Sequence, residues 1–123
     1  ECILLVDDET EVAGTFRRQL LRLGYRVDAY TSSLTARERF NAAPGRYDLA
    51  VLDVVMPDLN GQDLAESLRA LRPDLPVIFC SGYSPDRLIL TGKAAEILEK
   101  PVDPGVLARQ VRTALDSAAT SLT

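Results

Sequence analysis

The sequence predicts an α/β fold built on a doubly wound parallel sheet, and three observations point there. Short apolar runs alternate with longer amphipathic stretches five times. The first run, Cys2-Ile3-Leu4-Leu5-Val6, is continuously apolar, as a strand covered on both faces must be. Breaker residues, among them Gly24, Pro44-Gly45 and Pro73, fall between the periodic stretches.

Each element follows in order. After the first strand a helix is expected from about Glu9 to Leu23, because Val12, Phe16, Leu20 and Leu23 recur at helical spacing before Gly24. Tyr25 to Tyr30 reads as a second strand whose alternation suits a sheet edge. Ser32 or Ser33 caps the next helix, which ends near Ala43. Asp48 to Leu52 reads as the central strand. Gly61 to Leu71 reads as a helix with Leu64, Leu68 and Leu71 on one face. Pro76 to Cys80 is the fourth strand, Ser84-Pro85 starts a short helix, and Ala95 to Glu99 is the fifth strand. Asp103-Pro104 opens the last helix, whose Leu107, Val111, Ala114, Leu115 and Ala118 face the core before a tail that frays from about Ser117.

Composition narrows the function classes. At 123 residues one domain with a proper core is expected, and from the initial glutamate a piece of a larger chain is expected. A net charge of −4 offers no field for nucleic acid or an anionic membrane, so neither is expected as a direct partner. No apolar run approaches the ~20 residues of a membrane span, and a cytoplasmic location is expected. The absence of histidine excludes histidine-based nucleophile activation or metal ligation within the chain. Cys2 and Cys80 belong to opposite ends of a parallel sheet and are expected as buried, reduced thiols.

In an open parallel sheet the site lies beyond the carboxyl ends of the strands. Asp7-Asp8 follows the first strand, Asp53 the third, Ser81-Gly82 the fourth and Lys100-Pro101 the fifth, so these residues are expected on one rim. Three carboxylates suit a hard cation such as Mg²⁺: Asp8 and Asp53 as ligands, Asp7 directly or through water, and the Val55 carbonyl as a further oxygen. Asp53 is also a candidate nucleophile for phosphoryl transfer. The charge spreading over the phosphoryl oxygens would then meet the cation, Lys100, and the Ser81 hydroxyl with nearby backbone N–H groups. Taken alone, Asp7-Asp8 reads equally well as a helix cap.

The motifs Leu4-Leu5-Val6-Asp7-Asp8-Glu9, Leu52-Asp53 through Met56-Pro57 to Gly61, Ser81-Gly82 and Lys100-Pro101 together resemble the receiver domains of two-component signalling, over essentially the whole chain. The resemblance implies a flavodoxin-like (βα)₅ fold with strand order 2-1-3-4-5. It implies phosphorylation of Asp53 by a histidine kinase or histidine phosphotransfer domain, with Asp7 and Asp8 holding Mg²⁺, for which Mn²⁺ can substitute. It also implies a Ser81 that shifts toward the phosphoryl group, a Lys100 that pairs with it, a cis bond at Pro101 and a possible homodimer. A regulatory phosphoacceptor rather than an enzyme is thus expected, although a full-length parent could be a histidine kinase. One departure is Ile97, three positions before Lys100, where the family usually carries a rotating aromatic ring. The segment between Ser81 and Lys100 looks contracted, and Cys80-Ser81-Gly82-Tyr83-Ser84 resembles receivers attached to hybrid sensor kinases.

Other classes leave different marks. An aspartyl phosphatase of the haloacid dehalogenase kind needs an acid two residues after its nucleophile, and Val55 stands there. A flavin phosphate would meet the acidic Asp7-Asp8-Glu9 loop. A phosphorylation-independent interaction module predicts loss of a site residue, and none is missing. Val55 and Tyr83 are candidates to restrict water near Asp53, and Arg17 and Arg18 to contact an acidic partner helix.

Overall fold

The computed structural model describes residues 1–82, 96–100 and 102–121. Tyr83, the short helix expected after it and the Lys100-Pro101 bond fall outside that set. Among the described residues the chain runs β1 (Cys2–Val6), α1 (Thr10–Arg22), β2 (Arg26–Tyr30), α2 (Ser33–Ala42), a 3₁₀ turn (Pro44–Arg46), β3 (Leu49–Asp53), α3 (Gly61–Leu71), β4 (Val77–Ser81), β5 (Glu96–Glu99) and α4 (Pro104–Ser121). The sheet is parallel throughout and ordered β2-β1-β3-β4-β5, the order that the resemblance implies.

Alternation along the strands divides the core into two layers. Cys2, Leu4, Val6, Ala50, Leu52, Val77 and Phe79 point to one side, where Ala36 and Phe40 of α2 and Leu64 and Leu68 of α3 cover them. Ile3, Leu5, Leu49, Val51, Ile78, Cys80 and Leu98 point to the other, against Phe16 and Leu20 of α1 and Leu107, Val111 and Leu115 of α4. Strands β1, β3 and β4 are buried along their whole length, so neither face can tolerate a polar residue before the carboxyl end. β2 is the half-exposed edge.

Several boundaries differ from the sequence reading. β3 and β4 each begin and end one residue later than expected, because the ladder continues through the amide of Val54, which donates to the Cys80 carbonyl at 3.0 Å. Asp53 and Ser81 therefore end their strands instead of following them. Leu23 and Leu71 are half-exposed and not core: Leu23 is the C-cap where Gly24 (φ 94°) turns the chain, and Leu71 closes α3. α4 runs on to Ser121 without ending at Ser117, as a tail with two adjacent alanines allows. Ser32 is the cap of α2, accepting from the Thr35 amide, which leaves Ser33 as the first helical residue. Asp103 caps α4, its Oδ2 accepting from the amides of Gly105 (2.9 Å) and Val106 (3.1 Å). Both cysteines are free and buried, and burial pushes the Cys80 thiol up to about 12.

A polar network closes the corner between β2 and the 3₁₀ turn. The Tyr47 hydroxyl donates to Asp28 Oδ2 at 2.7 Å, and Arg46 Nε donates to the same oxygen at 2.9 Å. Burial favours a neutral Asp28, but the Tyr47 and Arg46 hydrogen bonds outweigh it and hold the carboxyl below its ordinary range. The Tyr47 ring stacks on Phe40 at 5.8 Å, and Arg72 Nη1 donates to the Tyr47 and Pro44 carbonyls. Tyr47→Phe removes one charge-assisted bond from a buried pair, and a loss of about 1–2 kcal/mol in urea unfolding is expected with the fold intact.

Candidate functional site

The strand order sets β1 and β3 side by side, so Asp7, the residue after β1, lies next to Asp53, the last of β3. One carboxylate oxygen from each of Asp7, Asp8 and Asp53 lies within 4.8 Å of the other two. Asp7 and Asp53 are buried, whereas Asp8 opens to solvent. Asp7 Oδ1 accepts from the Glu9 amide at 2.9 Å. The doublet thus contributes to the entry of α1, but the N-cap position itself belongs to Glu9.

Lys100 arrives from beyond β5. Its backbone amide donates to the Ser81 carbonyl at 2.7 Å, which fixes where its side chain starts. Its Nζ donates to Asp7 Oδ2 at 2.7 Å and lies 3.5 Å from Asp53 Oδ1. Burial opposes a charged ammonium, yet the bond to Asp7 and the fields of Asp53 and Asp7 raise its pKa above the ordinary lysine value. With both Asp7 oxygens so engaged, Asp8 and Asp53 keep the more accessible lone pairs.

A cavity of about 470 Å³ opens above these groups, lined by Asp8, Glu9, Asp53, Val55, Gly82 and Lys100. Ser81 is fully buried and is not among the lining residues. Ile97 is half-buried in β5, in register with Phe79, and packs on the core layer under α2 and α3. Arg17 and Arg18 are exposed.

The donor set fits a hard divalent cation. All its donors are oxygens, and one ammonium against three ionised carboxylates leaves an excess of two negative charges. The carboxyl of Asp53 is raised to about 6, first by burial, then by the nearby Asp7 charge; Lys100 works against this, and a hydrogen bond with Asp8 adds to it.

In the sequence Gly61 reads as a motif residue and a helix start, with no contact to Asp53 in sight. A Cβ there would collide with the Asp53 carbonyl oxygen, and the Gly61 amide donates to the Val54 carbonyl at 2.9 Å. The signal was a poor helix former placed directly after the Asn60 cap, whose Oδ1 accepts from the Asp63 amide. Gly82, which beside Ser81 leaves room for a group to approach the backbone, does line the cavity; Glu9 as a cavity wall had no separate signal.

A profile described as the response regulator receiver domain matches residues 3–112. The chain belongs to this family. Receiver domains are regulatory phosphoacceptors in two-component signalling. The receiver is 38% identical over 120 residues to the DNA-binding transcriptional regulator NtrC of Azospirillum brasilense, covering 94% of this chain and 24% of that protein. It is 36% identical over 117 residues to the sensor kinase CckA of Brucella abortus (strain 2308), covering 93% of this chain and 12% of the kinase. The chain therefore spans a quarter or less of these relatives. Among solved structures, the response regulator TrrA of Thermotoga maritima in complex with Mg²⁺-BeF superposes with TM-score 0.83 at 30% identity, over 93% of this chain and 98% of that one. No helix among the described residues is long and apolar enough to cross a membrane.

Two outcomes follow for the receiver. Because Asp53 titrates near 6 when folded but lower when unfolded, the folded state binds more protons between the two values, and stability falls as pH rises through that window. Asp53→Asn is expected to flatten this slope and raise stability at pH ~7.5, without divalent cation, by on the order of 1–3 kcal/mol in denaturant titrations. Gly61→Ala is expected to cost ~2 kcal/mol or more, since backbone and not a flexible side chain has to yield; differential scanning calorimetry measures it.

Proposed function

We propose that Asp53 accepts a phosphoryl group from a phosphohistidine on a histidine kinase or histidine phosphotransfer domain. A bond forms between an Asp53 carboxylate oxygen and phosphorus while the phosphorus–imidazole nitrogen bond breaks, and the leaving imidazole takes up a proton. The observation that carries this reading is the meeting of Asp53, Asp7, Asp8 and Lys100, from three different strand ends, at one open cavity.

Asp8 and Asp53, with Asp7 beside them and the Val55 carbonyl in the adjoining loop, would hold Mg²⁺; Mn²⁺ has the same oxygen preference. The bound cation supplies neutralisation of the charge on the transferring group. Lys100 is already charged and close to Asp53, so it needs only a small movement to pair with a new phosphoryl oxygen. Ser81, buried at the end of β4, has to turn its hydroxyl outward to do the same, which makes it the moving part of the site. Val55 is half-exposed at the cavity wall, placed to limit water near the acyl phosphate.

For the partner, a second groove of about 440 Å³ lies alongside, lined by Val12, Phe16 and Gln19 of α1 and by Lys100 and Val102. It is mainly apolar and opens next to the acid cavity, as a donor helix requires. Arg17 and Arg18, exposed on the same helix α1, would meet acids on the partner. On the output side, Ile97 is branched and half-buried, and cannot swing as a ring does. The signal leaves the site by another route. The similarity to CckA supports a hybrid-kinase parent, with NtrC-like regulators the competing origin.

Incubation of the receiver with Mg²⁺ and a small acyl-phosphate donor tests the reading. A single adduct of about 80 Da, base-labile and absent from Asp53→Asn, is the expected intact-mass result. Failure of the wild-type receiver to be labelled overturns it, and turnover of many equivalents of a phosphate ester identifies a phosphatase.

A further inference from the structure

Only four polar or charged residues are buried among those described: Asp7, Asp53, Ser81 and Ser33. Three belong to the site. The fourth, Ser33, lies in the first turn of α2 and does not cap that helix, since Ser32 does so. Its Oγ donates instead to the Pro57 carbonyl at 3.3 Å, across 24 residues of chain.

Pro57 lies in the loop of residues 54–60 that leads from Asp53 to α3. The base of this loop is fastened twice, by the Val54 amide to the Cys80 carbonyl and by the Gly61 amide to the Val54 carbonyl. Its tip is a three-residue turn in which the Leu59 amide donates to the Pro57 carbonyl at 2.7 Å, with Asp58 at φ 69°. Turns of this positive-φ kind are strained and relax unless surrounding contacts hold them. The same Pro57 carbonyl thus takes the turn's own bond and the bond from Ser33. Val55, which lines the acid cavity, lies between the fastened base and this tip.

We propose that Ser33 is a positioning residue for the cation site: by holding the Pro57 carbonyl it fixes the strained turn, and with it the aim of the Val55 carbonyl. This rests on the receiver reading above, in which that carbonyl faces the cation. Ser33 touches neither the acids nor the phosphoryl group. Its effect travels through three residues of backbone, Pro57 back to Val55.

The test uses the whole chain, Mg²⁺ alone as probe, and two variants. Ser33→Ala removes the donor; Ser33→Cys keeps the volume with a much weaker donor and serves if alanine fails to fold. Calorimetric titration is expected to show Mg²⁺ binding about fivefold weaker in either folded variant, the worth of one lost hydrogen bond. Faster exchange of the Leu59 amide should accompany it, with unfolding without cation changed little. Wild-type Mg²⁺ affinity in a folded variant overturns the role of Ser33 and leaves the receiver reading standing. An unaltered Leu59 exchange rate overturns it too. If the unmodified chain takes up no Mg²⁺, the cation reading itself fails, and the role of Ser33 with it.

Discussion

The ammonium of Lys100, held 2.7 Å from Asp7 and 3.5 Å from Asp53, is the contact on which the rest of the site depends. Two buried carboxylates at the ends of neighbouring strands repel each other and lose hydration, and both effects disfavour their charged forms. One part-buried cation offsets a share of both, and the Asp53 carboxyl still stays above its ordinary range. Removing the lysine from such a group is costly because the carboxylates stay buried and unpaired. The pairing also joins β1, β3 and the end of β5, so the order of the sheet and the charge balance of the site constrain each other. Because one lysine cannot neutralise three acids, the pocket remains under tension that a divalent cation relieves.

That tension is tolerable because the frame below is apolar and closed. Both faces of β1, β3 and β4 are sealed by helices, and polarity begins where the strands stop. Relocating a carboxylate one step back along β3 would set it on a sealed face with no partner. The division between hydrocarbon and charge at this rim is sharp, and the clustered acids and Lys100 lie on the charged side of it.

Much of this was legible in the chain. The continuous apolar run at Cys2–Val6 announced a strand covered on both sides, and acids directly after apolar runs announced a polar rim. Glycine and proline marked most helix ends within a residue or two. What failed to show was whatever depends on how elements meet. Leu23 and Leu71 match the helical period, yet their burial depends on where the sheet ends. Asp53 and Ser81 lie one position inside their strands because hydrogen bonding continues across the ladder, and composition does not carry that information. The close approach of Gly61 to the Asp53 carbonyl and the reach of Ser33 to Pro57 are contacts between distant segments. A hydroxyl beside a helix cap looks ordinary until its partner is seen.

The Gly61 contact has a mechanical consequence. With no side chain between them, the first turn of α3 rests directly on the backbone of Asp53, and the Gly61 amide clasps the next carbonyl along. Acid and helix form one stiff part, without the compressible layer of methyl groups that separates other helices from the sheet. A shift of a few tenths of an ångström at Asp53 therefore moves the near end of an 11-residue rod, and its far end at Leu71 sweeps the surface around the exposed leucine.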